Sequence, residues 1–405
     1  MTTALPGATK ASPQLPASST QQFDVAIIGA GIAGASAASA LSRAGLNVAL
    51  IDFRDRHPAD FRAEKIGERQ IEFFDSFGLG AAARDQLTAF DGVWVRRFGR
   101  IVEKSHKREY SSPYGDLVNA LRDALPAAIK QFVARVVEVR TNDEHQEVEL
   151  ADGRVISSRL LVVATGLGEA IRNKLGVGRV MRSRAHSVVG GFDLANPVSD
   201  FPFPSLVWMT ERPSDKTAYL SLFPMGDRIR ANLFLYRAPD DPWCMQFRKD
   251  PAASLRELLP AFERTFQPMV IQGPVQFRPN DIATASNHRQ AGFVLIGDAF
   301  FTTCPVTGTG MDKALNDVDR LRQLVPQWLA TPGMSAEKTG QLYDDPVKQQ
   351  VDSASLDLSL RERAARMDDS LSGSILRFRR NVLRRSAYRA MNVIEGVTPL
   401  QFSHH

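Results

Sequence analysis

The stretch FDVAIIGAGIAGASAASALSRAGLNVALIDFR, residues 23–54, decides the fold. Within it, residues 25–42 carry no charge, and a run of this length could suggest a membrane span. The composition argues against a span, because most of these residues are alanine, glycine or serine and offer little apolar surface. The pattern instead predicts a strand at 23–28, a helix at 33–44 and a second strand at 46–51.

A complete G-x-G-x-x-G pattern, Gly29-Ala30-Gly31-Ile32-Ala33-Gly34, lies between the first strand and the helix. Gly29 permits a sharp turn, Gly31 lets the main chain approach a diphosphate, and Gly34 lets the helix pack on the strand. Free N–H groups at the helix start would face the anion. Asp52 ends the second strand 18 residues beyond Gly34, where an acid can bind a ribose hydroxyl. The stretch predicts a dinucleotide site; the alternative is a small-residue helix packed on a sheet.

A second motif, AGFVLIGDAFFTTCPVTGTGM at residues 291–311, indicates which dinucleotide is bound. An apolar strand ends at Gly297-Asp298, and a Pro- and Gly-rich turn from Pro305 to Gly310 leads into a helix. The carboxylate can accept hydrogen bonds from ribitol hydroxyls, and the glycines allow a flat ring to lie against the main chain. These features favour FAD over NAD.

The two motifs, in this order and about 260 residues apart, resemble those of the flavoprotein monooxygenases with the p-hydroxybenzoate hydroxylase fold. That superfamily also includes flavin-dependent halogenases and geranylgeranyl reductases, and the resemblance covers roughly residues 23–330. It implies an α/β (α+β) fold: a Rossmann-like FAD-binding domain (GR2 type), an antiparallel-sheet substrate domain and a C-terminal helical segment. The FAD-binding residues that it implies are Gly29, Gly31, Gly34, Asp52, Arg54, Val136, Gly166, Gly297, Asp298, Pro305, Gly308, Thr309, Gly310 and Met311.

The resemblance also implies individual roles. Asp298 would contact the ribityl chain, Val136 would offer backbone groups to the adenine, and Pro305 would sit over the flavin near its reactive C4a edge. Two positions depart from the family pattern: Thr165 stands where an aspartate is usual, and Tyr114 stands where an Arg-x-x-Leu motif usually begins. These departures leave FAD binding expected. They keep the electron donor open between NAD(P)H and a partner flavin reductase.

The activity implied by the resemblance is that of a monooxygenase of secondary metabolism. One oxygen atom of O₂ would pass, through a flavin C4a-hydroperoxide, to an aromatic or other apolar small molecule. One alternative is a reductase or dehydrogenase of a double bond, similar to the geranylgeranyl reductases; another is a flavin-holding protein without turnover. A halogenase is disfavoured, because no lysine follows Gly67-Glu68 and the Trp-x-Trp-x-Ile-Pro motif is absent. Glu68 is a candidate group near the flavin; alternatively, it is a solvated carboxylate stabilised by the helix dipole.

Residues 181–290 alternate in short β-like runs that predict an antiparallel sheet above the flavin. Aromatic side chains on such strands could line an apolar substrate site. The candidates are Trp208, Phe223, Phe234 and Tyr236. The alternative is that these rings belong to the core. The sequence shows no metal-ligand cluster and no Ser-His-Asp set.

The length of 405 residues predicts several domains. The net charge of +5 is too mild to indicate nucleic acid as a partner. The chain has only two cysteines, which suits a reducing compartment, so a cytoplasmic location is expected. Residues 1–22 are expected to be a disordered leader. The predicted FAD-binding domain combines 23–75, 110–180 and 291–330, the substrate domain combines 76–109 and 181–290, and a helical region covers 331–405. The oligomeric state stays open.

Residues 371–391 predict a basic amphipathic helix. Its apolar residues Leu371, Ile375, Phe378 and Val382 share one helical face, and the stretch holds six arginines and no acid. Such a helix could make peripheral contact with an anionic membrane. The alternative is a terminal helix that docks its apolar face on the body of the protein.

Overall fold

The computed structural model describes residues 21–97, 99–210, 212–375, 378–379 and 382–383. Most of the predicted leader, residues 1–20, lies outside the described residues. The first strand begins at Gln21, two residues earlier than predicted, because Gln21 and Gln22 pair in register with Ile156 and Ser157.

The strands in the described part of the chain are, in order, β1 Gln21–Ile28, β2 Val48–Asp52, β3 Ala63–Ile66, β4 Thr88–Asp91, β5 Trp94–Arg97, β6 Arg100–Lys104, β7 Arg108–Pro113, β8 Lys130–Val133, β9 Val136–Arg140, β10 Gln146–Leu150, β11 Val155–Val163, β12 Gly178–Leu194, β13 Leu206–Met209, β14 Thr217–Met225, β15 Arg228–Leu235, β16 Ile271–Ser286 and β17 Phe293–Leu295. The helices are α1 Ile32–Arg43, α2 Glu68–Ser76, α3 Gly80–Asp85, α4 Tyr114–Asp123, α5 Ala170–Lys174, α6 Pro242–Lys249, α7 Pro251–Leu258, α8 Phe262–Thr265, α9 Gly310–Leu329, α10 Ala336–Asp344 and α11 Pro346–Met367.

The first sheet has the order β8-β2-β1-β11-β10-β9, with β17 beside the C-terminal half of β11. Its central strands β1, β2 and β11 are parallel, and β9 and β10 continue the sheet antiparallel. Residues 25–28 and 160–163 are buried, as expected where helices cover both faces of a parallel sheet. This is the Rossmann-like βαβ unit that the opening stretch predicts. Apart from the first two residues of β1, the strands of this sheet lie within 23–75, 110–180 and 291–330.

The second sheet has the order β16-β12-β15-β14-β13-β5-β6 and is antiparallel except for the pair β13–β5. One face packs against the core of the first sheet, and the other carries a separate apolar cluster with α6, α7 and α8. Because side chains alternate along a strand, neighbouring residues enter different cores. Tyr219 of β14 packs on the first core, whereas Leu220 belongs to the second.

A third, small sheet, β3-β7-β4, was not predicted. Its strands are only four to six residues long and come from segments far apart in the sequence, so a local pattern cannot reveal their pairing. The sheet joins a strand from the predicted FAD-binding range to one from the predicted substrate range.

Beyond residue 331 the described chain is mainly helical, as predicted. The helix α11 packs against α9 and reaches β14 of the second sheet. Within the predicted basic helix at 371–391, the structure describes residues 371–375, 378–379 and 382–383, and all of these are helical. The rest of this stretch lies outside the described residues. None of the helices in the described part of the chain combines the length and hydropathy needed to cross a membrane.

Candidate active site

The two glycine motifs meet in space. Gly34 packs directly on Gly29. Any side chain at position 34 would overlap the carbonyl oxygen of Gly29. Gly297, from the second motif, faces α1, and a Cβ there would lie 3.4 Å from the Cβ of Ala33. The turn that ends β17 therefore lies against the helix that follows the first turn, and one extended ligand can contact both.

Asp52 ties the first turn to the end of β2. Its Oδ2 accepts a hydrogen bond of 2.7 Å from the Ala30 amide and forms an ion pair of 3.0 Å with Arg122. Its Oδ1 accepts from the Arg54 amide at 3.0 Å. Two carboxylate oxygens offer about four acceptor positions. One position remains for a ribose hydroxyl, which fits the predicted role of Asp52.

Arg122 was missed by the sequence analysis, although it holds the nucleotide end of the site together. This buried residue of α4 donates to the carbonyl oxygens of Ala30 at 2.7 Å and of Arg54 and Asp55 at 3.0 Å, in addition to pairing with Asp52. A signal was present: an arginine falls within the apolar face of an amphipathic helix, directly after buried Leu121. Such a charge needs partners in the interior.

Tyr114 is the first residue of α4, where the resemblance leads us to expect an arginine, and its side chain reaches the N-terminal end of α1. Its hydroxyl bonds to the Ile32 amide, and a Cβ on Gly31 would lie 3.3 Å from it. The guanidinium of Arg62 stacks on the Tyr114 ring, 3.7 Å from the centroid. Burial raises the pKa of Tyr114, so the hydroxyl is protonated at neutral pH. A positive charge is therefore present beside the turn, but it comes from Arg62.

The second motif forms a turn at the start of α9. Gly308 adopts a left-handed conformation with φ +68°, and Thr309 directly precedes the first residue of the helix. The Thr309 hydroxyl bonds to that of Thr307 at 3.0 Å, and Thr309 places no side-chain cap on the first-turn amides that begin with Gly310 and Met311. Because those amides keep their donor capacity, this turn fits an acceptor-rich ligand such as FAD.

Three further observations fit FAD. The Thr165 hydroxyl is buried and has no hydrogen-bond partner among the described residues, and it follows Ala164, which abuts Gly29. Gly166 comes next in a left-handed turn. The Ala134 amide donates to the Asp52 carbonyl oxygen at 2.9 Å, which brings the segment leading to Val136 beside the nucleotide end.

Two of the remaining predicted cofactor residues, Asp298 and Pro305, belong to the short turns of the second motif. Asp298 follows Gly297, and its charge acts on Tyr114 across the space between the two motifs. Pro305 begins the short turn before Gly308. Arg54 instead extends its side chain over Phe53 at the surface, 4.5 Å from the ring centroid.

Glu68 is the first residue of α2. It is exposed in the first turn of α2, where a carboxylate matches the helix dipole. Gln70, in the first turn of α2, contacts the second motif's helix: it donates to Asp312 of α9 at 2.6 Å and accepts from the Gly67 amide at 2.7 Å. The dipole interpretation of Glu68 is therefore favoured.

The four aromatic candidates separate into two groups. Phe234 and Tyr236 pack on the face that meets the second motif, and strand alternation places Phe223 on the same face as Tyr219. Trp208 lies apart from these three residues. It faces the other side of the sheet, where it contacts Phe262 with ring centroids 5.0 Å apart. The reason is its position opposite Leu220 in the β13–β14 pair.

A cavity of about 170 Å³ opens on the face that meets the second motif. It lies beside Val306, whose carbonyl oxygen accepts a hydrogen bond of 2.8 Å from the Tyr219 hydroxyl. Apolar side chains from β13, β14 and α11 form most of its wall. The residues that line it are Met209, Ala218, Tyr219, Val306, Thr307, Leu358, Glu362 and Arg366. The contribution of α11 was not foreseen from the sequence.

Fold and site together define an FAD-dependent flavoprotein, and comparison with known proteins agrees. A model of the FAD binding domain family matches residues 22–329, and the chain belongs to this family. The predicted fold, the predicted FAD and the assignment as an FAD-dependent oxidoreductase of the monooxygenase class are confirmed.

The chain is also similar to individual proteins of known activity. The chain is 26% identical over 369 residues to squalene epoxidase erg1 of Aspergillus fumigatus, covering 80% of this chain and 72% of the relative. It is 28% identical over 329 residues to ubiquinone hydroxylase UbiL of Rhodospirillum rubrum, covering 73% and 70%. The p-nitrophenol 4-monooxygenase PnpA of Pseudomonas putida DLL-E4 shares the fold, with a TM-score of 0.74, 14% identity and coverage of 93% and 97%.

Proposed function

We propose that this monooxygenase hydroxylates an aromatic or other apolar small molecule of secondary metabolism. The observation that carries the proposal is the mainly apolar cavity beside the turn at 305–307, which the family resemblance places against the flavin. Apolar walls with a few polar groups are typical of small-molecule sites. The names of the two relatives add support, since squalene and ubiquinone are apolar molecules and an epoxidase and a hydroxylase both insert oxygen.

The chain would hold FAD through the groups described above. The amides at the start of α1 would face the diphosphate, Asp52 the ribose, Asp298 the ribityl chain and the amides at the start of α9 the ring. When bound, FAD supplies the activation of O₂. The residues of the chain orient the substrate and exclude water.

The reaction is tested by isotope incorporation. Protein reconstituted with FAD is reduced without oxygen, mixed with ¹⁸O₂ and a panel of phenols and polyprenyl compounds, and the products are analysed by mass spectrometry. We expect a product heavier by one ¹⁸O atom. Reduction of a substrate double bond under anaerobic conditions would support the reductase alternative, and incorporation of added bromide would support a halogenase. Bound FAD with no product in any assay would support a binding protein.

The electron donor is NAD(P)H, used directly or through a partner reductase. In the family that the chain resembles, an arginine several residues after the glycine at position 166 belongs to a motif that serves both FAD and NAD(P)H, and Arg172 fits this place. Its side chain is only 2% exposed and donates to the Gly166 carbonyl oxygen at 3.3 Å. An enclosed arginine is poorly placed to receive a phosphate from solution, which favours the partner reductase. Rapid bleaching of the bound flavin by NADPH or NADH alone would contradict this part of the proposal.

We also propose that residues 371–391 attach the protein to the surface of an anionic membrane, at its cytoplasmic side. Leu371, Ile375, Phe378 and Val382 are between 42% and 84% exposed, which supports membrane contact over docking on the body of the protein. The stretch carries six arginines and no acid, which complements anionic headgroups. The two cysteines are free and buried, in keeping with a reducing compartment.

Vesicle co-sedimentation tests the attachment. The full chain should pellet with vesicles of phosphatidylcholine and phosphatidylglycerol, less with phosphatidylcholine alone, and less at high salt. The double variant Ile375→Glu, Phe378→Glu should stay in the supernatant, because its apolar face would carry charge. Leu360→Glu, an exposed leucine outside the stretch, is the matched control and should pellet normally. Equal pelleting of all three proteins would refute the attachment.

A further inference from the structure

The helix α11, Pro346–Met367, lies outside residues 22–329, which the family model matches. Its buried side chains are polar: Lys348, Ser355 and Ser359. A helix on the surface of a protein usually docks through an apolar face, whereas buried polar groups need hydrogen-bonding partners in the interior. The partners of this face belong to the second motif and to the helix α9 that follows it.

Four charged side chains form a cluster without net charge between α11 and α9. Lys348 of α11 bonds to Asp317 of α9 at 2.6 Å and to Asp352 of its own helix at 3.0 Å. Lys313 of α9 completes the cluster, 3.3 Å from Asp317 and 3.9 Å from Asp352. The side chains of Lys313, Asp317 and Lys348 are at most 1% exposed. Charges shielded from water interact strongly, so the position of each one depends on the other three.

The cluster holds both main-chain polar groups of Gly297. Oδ2 of Asp317 accepts a hydrogen bond of 2.8 Å from the Gly297 amide, and Nζ of Lys313 donates to the Gly297 carbonyl oxygen at 3.2 Å. That carbonyl group belongs to the peptide unit that joins Gly297 to Asp298. Fixing this peptide unit fixes the point from which the Asp298 side chain starts, and Asp298 is the residue that would contact the ribityl chain.

Loss of the Lys348 ammonium group would release this peptide unit. Two carboxylates would then share the single charge of Lys313. Oδ1 of Asp352 is buried and has no hydrogen-bond partner among the described residues. Because it lies only 3.9 Å from Nζ of Lys313, it would draw this lysine away from the Gly297 carbonyl oxygen.

A second link joins α11 to the turn at 305–307. Ser359 is fully buried, and its Oγ accepts a hydrogen bond of 3.4 Å from the Cys304 amide while donating to the Ser355 carbonyl oxygen at 2.7 Å. Cys304 directly precedes Pro305, which the resemblance places over the flavin. One hydroxyl group therefore connects the main chain of α11 to that turn.

We propose that α11 is part of the FAD site, with Lys348 as the positioning residue for Asp298 and Ser359 as the positioning residue for Pro305; this rests on the placement of FAD proposed above. Both residues act through other groups of the chain and need no contact with the cofactor. Coupling between two sites is reciprocal. Bound FAD should therefore stabilise the docked α11 by the same factor by which the docked helix strengthens FAD binding.

Titration of FAD into the apoprotein of the full chain, followed by flavin fluorescence, measures the role of Lys348. Lys348→Met should raise the Kd of FAD about tenfold, the effect of losing a hydrogen bond to a charged group. Lys348→Arg keeps the charge and should restore part of the affinity. Circular dichroism confirms that each variant is folded at the temperature of the titration, so a loss of stability by itself does not alter the Kd.

Lys338→Met is the matched control. Lys338 lies beyond the other end of α9, where its Nζ donates to the carbonyl oxygens of Trp328 at 3.0 Å and Gly333 at 2.8 Å. The same substitution there should lower the free energy of unfolding but leave the Kd of FAD unchanged. An unchanged Kd in Lys348→Met, or an equal rise in both variants, would overturn the inference.

Hydrogen exchange of the unaltered chain tests the coupling even if a variant fails to fold. Addition of FAD should slow amide exchange at 346–359 more than in α6, Pro242–Lys249, which packs in the separate cluster on the far face of the second sheet. No difference between the two helices would overturn the inference. An error in the placement of FAD would appear differently, because Gly31→Asp would then keep its flavin. If only the present inference fails, Gly31→Asp is colourless while Lys348→Met binds FAD normally.

Discussion

The Nζ of Lys348 lies 2.6 Å from Oδ1 of Asp317, and both side chains are buried. The contact joins α11 to α9 and, through Oδ2 of Asp317, to the Gly297 amide. Burial opposes the charged forms, but the neighbouring charges outweigh it: they raise the pKa of Lys348 and lower the pKa of Asp317. Both groups are therefore charged across the neutral range.

Replacing Lys348 by methionine should destabilise the protein by about 3–5 kcal/mol, because a buried aspartate loses its closest partner. The free energy of unfolding, measured by urea denaturation with FAD bound, checks this. Arg361→Met is the control. Arg361 forms an ion pair with Asp357, and the two side chains are 80% and 60% exposed, so losing this pair should change the free energy of unfolding only slightly. Equal effects of the two substitutions would show that the buried pair is not important for stability.

Arg122→Lys should weaken both folding and FAD binding. The guanidinium holds three carbonyl oxygens and the Asp52 carboxylate, and a lysine ammonium cannot reach all four from one position. We expect a loss of about 2–3 kcal/mol in unfolding free energy, together with a faster release of FAD in gel filtration. Arg56→Lys serves for comparison, since Arg56 pairs with Asp123 at the surface. Normal FAD retention by Arg122→Lys would contradict the role given to this residue.

Gly31→Asp should fold but fail to retain FAD. The nearest atom to a Cβ at this position is the Tyr114 hydroxyl at 3.3 Å, so the side chain needs only a small adjustment, but its charge would repel the diphosphate. Flavin content after purification is the measurement. Gly45→Asp adds the same charge at a left-handed glycine with no neighbouring atom within 4 Å, and it should remain yellow. A yellow Gly31→Asp protein would count against the placement of FAD.

His186 should make stability depend on pH. Burial, followed by the charge of Arg363, lowers the pKa of His186 from 6.5 to about 4. The unfolded chain therefore binds this proton more readily than the folded chain between pH 4 and 6.5. The resulting stability is fully present above pH 6.5 and is lost as the pH falls toward 4.

The contribution of His186 to the free energy of unfolding is on the order of 3 kcal/mol. In His186→Gln, the melting temperature should fall less steeply between pH 7 and pH 4 than in the wild type. Parallel pH profiles for the two proteins would exclude the contribution of His186.

The local sequence pattern was sufficient to predict the structure wherever all the residues that determine a feature lie in one short segment. The turn from Gly29 to Gly34 requires glycines for reasons of main-chain geometry, and both glycine motifs lie at strand-to-helix turns as predicted. The burial of Ile71, Phe74 and Phe77 likewise follows from their helical spacing. The side of the sheet on which Trp208 lies could not be predicted from the local pattern, because it depends on the residue that pairs with Trp208 across β13 and β14.

The sequence by itself determined the family, the cofactor and the order of the two glycine-bearing turns, because each turn depends on residues that are close along the chain. Only the tertiary structure decided what completes the site. The buried face of α11 is polar, formed by Lys348, Ser355 and Ser359, while Leu358 and Leu360 are exposed. A search for apolar periodicity therefore cannot detect that α11 docks. Its partners, Asp317 and Cys304, lie some 30 to 55 residues away along the chain, and only folding brings them together.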